Sequence, residues 1–145
     1  NMNASTALEA YKATKTQAGI IDEASPHQLV AMLLDGALQR IAEARGAIER
    51  IEQAGDGLAV GEVTTKSEAI GKAIAILDSL RVTLDHEQGG ELAGNLSGLY
   101  DYMTRRLLEA NATKDVKMLT EVADLVKEIK AAWSQVPPEL HRISE

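Results

Sequence analysis

The stretch LDHEQGGELAGNLSGLYDYMTRRLLEAN, residues 84–111, decides the fold. Its apolar residues recur at steps of three or four positions, which is the period of one helical face. They are Leu92, Leu96, Leu99, Met103, Leu107 and Ala110. Gly89 and Gly90 precede this stripe and predict a reversal between two helices. We therefore expect a helix from about Gly90 to Asn111 whose leucine stripe lies in a core, in a stretch with almost no side chains suited to chemistry.

The pattern before this stretch predicts two further helices. Ser25 is a typical N-cap, Pro26 suits the first helical position, and Gln28 completes a capping box, so the first helix begins there and runs to about Gly55. A glycine-rich linker follows over residues 55–63. A second capping box, formed by Thr65 and Glu68, predicts the start of the second helix.

The pattern after this stretch predicts a fourth helix. Asp115 lies in its first turn, and Pro137 and Pro138 lie beyond its end. Short connections force neighbouring helices to be antiparallel. The sequence thus predicts an all-α, antiparallel up-down four-helix bundle over residues 25–136. Residues 1–24 form an N-terminal arm or short helix, residues 137–145 form a loose tail, and Asn1, which precedes Met2, is interpreted as an appended residue.

The first two predicted helices have wide apolar faces. Residues 29–34 are six apolar residues in a row, which is more than one buried stripe requires, so part of this surface should face the arm or a partner. The second helix has two adjacent apolar stripes. Such a face contacts either two neighbouring helices or one helix and a ligand.

Composition excludes several classes of function. The formal charge of −7 repels nucleic acid and anionic membrane surfaces. No apolar run is long enough for membrane insertion, and the N-terminus does not resemble a signal peptide. The absence of cysteine excludes disulfides and thiolate metal ligands and suits the cytoplasm. No histidine has a glutamate three positions before it, as a di-iron bundle requires, so we expect no metal, no cofactor and no catalytic residue.

Two separated motifs resemble the FliS family of flagellin-specific export chaperones. They are SPHQLVAMLLDGA at residues 25–37 and the stretch at residues 84–111, followed by Trp133. The resemblance implies a cytoplasmic, non-enzymatic helical bundle that binds the disordered C-terminal segment of flagellin. Such a protein prevents premature polymerisation and aids delivery to the flagellar type III export gate. The alternative that the resemblance admits is a regulatory helical module that engages a flagellar anti-sigma factor.

The resemblance also implies where a partner binds. Members of the family have an arm with a tyrosine and an apolar residue three positions before it, matched here by Tyr11 and Leu8, and this arm covers part of the binding surface. We expect the binding residues on the arm and on the wide faces of the first two helices rather than in residues 84–111. They are Leu8, Tyr11, Ile20 and Ile21 in the arm and Leu29, Met32 and Leu33 in the adjacent groove. A homodimer through the same groove is left open.

Overall fold

The computed structural model describes residues 25–55 and 59–135, and these contain four α-helices and no strand. The helices are α1 (Pro26–Ala54), α2 (Val60–Val82), α3 (His86–Thr113) and α4 (Val116–Trp133). Each helix packs against the next along the chain, and α4 also packs against α1, which closes the ring. The predicted all-α four-helix bundle is confirmed. The predicted arm and loose tail lie outside the described residues.

The start of α1 is a capping box, as predicted. The Ser25 hydroxyl accepts a hydrogen bond from the backbone N–H of Gln28 at 3.1 Å, and the Gln28 side chain accepts one from the Ser25 N–H at 2.8 Å. These bonds satisfy two of the N–H groups that a helix leaves without an internal partner. At the other end Gly55 adopts φ +59°, a conformation that favours glycine, and the helix ends there as expected.

The predicted start of α2 is wrong. The helix begins at Val60, with Ala59 as an N-cap that makes no side-chain hydrogen bond, so the Thr65 capping box lies inside the helix. One charged residue in the first turn contacts α1. Glu62 lies in the first turn, where its charge suits the positive end of the helix dipole, and it accepts a hydrogen bond from Arg50 of α1 at 2.9 Å. This contact ties the additional turn to α1.

The predicted break at Gly89 and Gly90 is present, because two helical segments meet at Gly90, but the reversal of the chain lies upstream of it. The chain turns at residues 83–85, and Asp85 caps α3 by accepting hydrogen bonds from the backbone N–H groups of Glu87 and Gln88, each at 3.1 Å. Gly90 lies inside α3, where φ +51° and ψ −124° interrupt the helical geometry and produce a kink. Gly90 does interrupt the helix, as a glycine at this position suggests. It marks a kink because Asp85 supplies a stronger helix start upstream.

One buried apolar cluster joins the four helices. The two apolar stripes predicted for the second helix belong to it, except for the half-buried Ile74, so contact with α1 and α3 explains the wide face of α2. The buried residues of these stripes are Ala69, Ile70, Ala73, Ile76, Leu77, Leu80 and Leu84, which lies just beyond the end of the helix. Tyr100 is buried in the same cluster, and this burial raises the pKa of its hydroxyl. The largest fully buried apolar side chains are Leu34, Ile48, Ile70, Leu77, Leu80, Met103, Leu107, Leu119, Val122 and Val126.

A buried lysine connects the start of α2 to the end of α3. Lys66 donates a hydrogen bond from Nζ to the Asn111 backbone oxygen at 2.9 Å, and the Ser67 hydroxyl donates to the Asn111 side-chain oxygen at 3.3 Å. The Asn111 carbonyl lies in the last turn of α3, where backbone oxygens lack an internal partner. Burial lowers the pKa of Lys66, and the charge of Lys114 adds to this effect. The contact fixes α2 and α3 as antiparallel neighbours.

Candidate partner-binding surface

An open apolar groove of about 300 Å³ lies between α3 and α4. Three leucines of α3 form one wall. Leu92 is 51% exposed, while Leu96 and Leu99 are half-buried. The groove as a whole is lined by Leu92, Leu96, Leu99, Leu125, Glu128, Ile129, Ala132 and Trp133. An apolar concavity with only one charged side chain is suited to an apolar segment of another chain.

The groove exists because the apolar surface of α3 is wider than the part that the core covers. Ala93 and Tyr100 are buried in the core. They lie one position after Leu92 and Leu99 and therefore about 100° further around the helix. The leucines at the start of the stripe are consequently turned away from the centre of the bundle. The prediction that the whole leucine stripe lies in the core is wrong for Leu92. The stripe enters the core only from Met103 onward.

A second groove of about 530 Å³ lies between α1 and α4. It is lined by His27, Ala31, Leu38, Lys127, Lys130, Ala131, Trp133 and Ser134. Unlike the first groove, it is lined by two cationic side chains, Lys127 and Lys130. Lys130 is held by an ion pair with Asp35 of α1. The two grooves therefore lie on either side of Trp133, one apolar and one with a basic edge.

Trp133 is fixed between the grooves by His27. The indole Nε1 donates to the His27 backbone oxygen at 3.1 Å, and His27 Nε2 lies 3.0 Å from the Trp133 backbone oxygen. A carbonyl oxygen can only accept, so Nε2 carries the proton in this contact. The two rings are stacked with centroids 5.6 Å apart. This contact joins the first turn of α1 to the last turn of α4 and holds Trp133 in one position between the grooves.

A polar network links α3 and α4 beyond the apolar groove. The Tyr102 hydroxyl donates to Glu121 at 2.6 Å, and Arg106 donates to the other carboxylate oxygen at 2.8 Å. The hydrogen bonds from Tyr102 and Arg106 hold the pKa of Glu121 below its ordinary value, and the bond to Glu121 raises the pKa of Tyr102. The network fixes the spacing of the two helices that form the groove.

Comparison with known proteins assigns the family. The family model described as flagellar protein FliS matches residues 7–140. The chain belongs to the FliS family. A flagellar secretion chaperone FliSB of Pseudomonas aeruginosa is 43% identical over 135 residues, covering 93% of this chain and 98% of the relative. FliS secretion chaperones of Vibrio cholerae and Salmonella typhimurium are 38% and 42% identical, each over 94% of this chain and over 93% and 94% of the relatives.

Family membership decides the class of protein. FliS is a chaperone family, so this chain is a flagellar export chaperone and not an enzyme. Within residues 25–55 and 59–135, no three histidine, aspartate or glutamate side chains come together as metal ligands would. Among the helices in those ranges, none has the length and apolar character that a membrane span requires.

The residues that sequence analysis assigned to binding fall into two groups. Leu29 and Met32 are half-buried, and Leu33 is 3% exposed within the core cluster. These three residues line neither of the two grooves. The arm residues lie outside the described residues: Leu8, Tyr11, Ile20 and Ile21. The assignment of all seven to a FliS binding surface stays a prediction.

The groove between α3 and α4 was not predicted from the sequence. A signal for it was present, because Leu92 and Leu99 run alongside Ala93 and Tyr100 and together make an apolar face too wide for one stripe. The same width was interpreted as a sign of partner contact in the first two helices. In α3, the leucines recur at regular steps of three or four positions, and this regularity favoured the interpretation of one stripe buried in the core.

Proposed function

We propose that this FliS family member acts in the cytoplasm and binds the disordered C-terminal segment of flagellin in the groove between α3 and α4. By covering that segment it prevents premature polymerisation, and it helps deliver flagellin to the flagellar type III export gate. The observation that carries the proposal is the half-exposed Leu92, which continues the wall of Leu96 and Leu99 along an apolar groove. A chaperone for an apolar segment requires such a surface and no catalytic group.

The dimensions of the groove suit an amphipathic helix of the partner. The wall on α4 runs from Leu125 to Trp133, which is nine residues of helix and about 12 Å. A partner helix presents apolar anchors at positions i, i+3 or i+4 and i+7 over about the same length. Leu92, Leu96 and Leu99 have the same spacing, so side chains of the two helices can interdigitate along the groove.

A disordered partner also favours a groove that is already formed before binding. A flagellin segment that folds on binding loses conformational entropy, so the affinity obtained per unit of buried area is reduced. A preformed groove limits this cost to the partner. Trp133 is held by His27 on one side of the groove, and Glu121 fixes the helix spacing beyond it. The surface is therefore ready before the partner arrives.

The arm remains part of the proposal as a competitor. Leu8 and Tyr11, with Ile20 and Ile21, would cover apolar surface in the free protein and be displaced by flagellin. Such an arm lowers the risk of aggregation, because large exposed apolar patches promote self-association. Deleting residues 1–24 should then raise the binding of an apolar dye without unfolding the bundle. Unfolding on deletion would instead place the arm in the core.

The direct test is a titration of the full chain with a flagellin C-terminal segment, followed by methyl resonances of the leucines. The largest shifts are expected at Leu92, Leu96 and Leu99, with no comparable change at Leu108 on another face of α3. Binding with shifts confined to other surfaces would move the site away from this groove. Failure of the segment to bind, with binding of a flagellar anti-sigma factor in its place, would favour the regulatory alternative.

A further inference from the structure

Among the described residues, Glu128 is the one charged side chain that lines the groove between α3 and α4. It is exposed, and within residues 25–55 and 59–135 its carboxylate makes neither an ion pair nor a hydrogen bond. By contrast, Glu121 of the same helix accepts hydrogen bonds from Tyr102 and Arg106. The charge of Glu128 is therefore open to a chain that enters the groove.

The residues around Glu128 on α4 do not neutralise its charge. The positions three and four residues away share its side of the helix, and none of them is a cation. They are Asp124, Leu125, Ala131 and Ala132. Of the two lysines close to it in the sequence, Lys127 lines the other groove and Lys130 pairs with Asp35.

The wall that α3 contributes does not supply a cation either. Residues 87–104 include no lysine, arginine or histidine, and the exposed Glu91 directly precedes Leu92 at the groove. The two arginines that follow, Arg105 and Arg106, are both paired with carboxylates. The groove thus combines apolar walls with a local excess of negative charge.

We propose that Glu128 selects the partner of this groove. It favours an amphipathic helix with a lysine or arginine beside the middle of its apolar stripe and discriminates against an acidic residue there. That this helix belongs to flagellin rests on the function proposed above, whereas the charge preference of the groove does not. Glu128 lies three residues after Leu125 and five before Trp133, so it is near the middle of the α4 wall. The basic residue of the partner should therefore lie near its middle anchor.

Desolvation makes this preference selective. In the open groove, water solvates the Glu128 carboxylate, and an ion pair formed in full solvent adds little affinity. A helix that covers Leu96 and Leu99 also removes part of this water, so a carboxylate that is left without a partner weakens binding. A cation on the helix compensates for the lost hydration, whereas an acidic residue adds repulsion. The apolar walls thus provide affinity, and Glu128 provides discrimination.

Two synthetic peptides test the charge preference without flagellin. Each is an amphipathic helix with leucine anchors at i, i+4 and i+7, and its positions i+1 and i+3, one on each edge of the apolar stripe, are both lysine or both glutamate. Binding to the full chain is followed by the methyl shifts of Leu92, Leu96 and Leu99. The lysine peptide should bind about threefold to tenfold more tightly. Equal affinities, tighter binding of the glutamate peptide, or no binding of either peptide would overturn the proposal.

Two substitutions in the chain separate Glu128 from the net charge of −7, which attracts any basic peptide. Glu128→Gln should remove most of the preference for the lysine peptide. Glu68→Gln is the control, since it changes the net charge equally at an exposed position of α2 that lines neither groove, and it should preserve the preference. An equal effect of the two substitutions would overturn the role of Glu128.

The flagellin C-terminal segment tests whether the proposed partner uses this preference. When its lysines and arginines are replaced singly by glutamine, one replacement should weaken binding to the unsubstituted chain but not to the Glu128→Gln chain. If the segment binds in the groove and every replacement has the same effect on both chains, the assignment of flagellin to Glu128 is overturned. If the segment does not bind at all, the proposed function fails, while the synthetic peptides still decide the charge preference.

Discussion

His27 and Trp133 lie 106 positions apart in the sequence and hold each other through two hydrogen bonds, of 3.0 and 3.1 Å, and a stacked ring contact. The pair closes the bundle between its first and last described helices. It also brings together the residues next to which the N-terminal arm and the C-terminal segment are attached. One end of the bundle thus has both chain junctions and both grooves.

His27→Ala should destabilise the bundle by about 1–2 kcal/mol, because it removes one hydrogen bond and the ring contact with Trp133. The measurement is the midpoint of urea unfolding followed by circular dichroism. His86→Ala is the matched control, since His86 is also in the first turn of a helix but is exposed. Equal midpoints for the two variants would show that the His27 contact contributes nothing.

Glu121→Gln should reduce stability at neutral pH more than at acidic pH. The pKa of Glu121 is held below its ordinary value of 4.5 by Tyr102 and Arg106, so its contribution is complete above that value and decreases as the pH falls through the lowered pKa. The difference in unfolding free energy between wild type and variant should therefore narrow from pH 7 to pH 3. The control Glu128→Gln should have the same unfolding free energy as the wild type at pH 7 and at pH 3. If the difference in unfolding free energy between wild type and Glu121→Gln were the same at pH 7 and pH 3, the stabilising role of the Glu121 carboxylate would be contradicted.

Gly90→Ala and Gly98→Ala should have opposite effects although both positions are in α3. Gly90 adopts φ +51°, where a side chain is strained, so alanine should cost more than about 1 kcal/mol. Gly98 has open space around an added Cβ atom, and alanine there should stabilise the helix by about 0.5–1 kcal/mol. Thermal unfolding of the two variants checks both signs. Stabilisation by Gly90→Ala would mean that α3 is straight in solution.

Local signals in the sequence were sufficient for the helices but not for every boundary. The capping box of Ser25 and Gln28 is formed by neighbouring residues, and it was predicted correctly. The start of α2 was not, because Glu62 is held by Arg50 of another helix, and a contact between helices has no local signature. Gly90 could be identified as a break, but not as a kink inside a helix.

The candidate site was harder to predict than the fold for the same reason. Periodicity shows that Leu92 and Leu99 share a face, but only the packed bundle shows how far α4 covers that face. The wide face of α2 gave the same signal and is buried by α1 and α3. Apolar width alone therefore does not separate a helix with two neighbours from a helix that borders a groove.

The central claim is that the groove between α3 and α4 binds the flagellin C-terminal segment, and one pair of variants tests it most directly. Leu92→Glu puts a charge into the groove, whereas Leu108→Glu changes a residue of the same helix with similar exposure, 55% against 51%, outside it. The measurement is the affinity of the full-length variants for the segment by calorimetry. We predict that Leu92→Glu weakens binding at least about tenfold and Leu108→Glu leaves it unchanged. Equal affinities for the two folded variants would contradict the account.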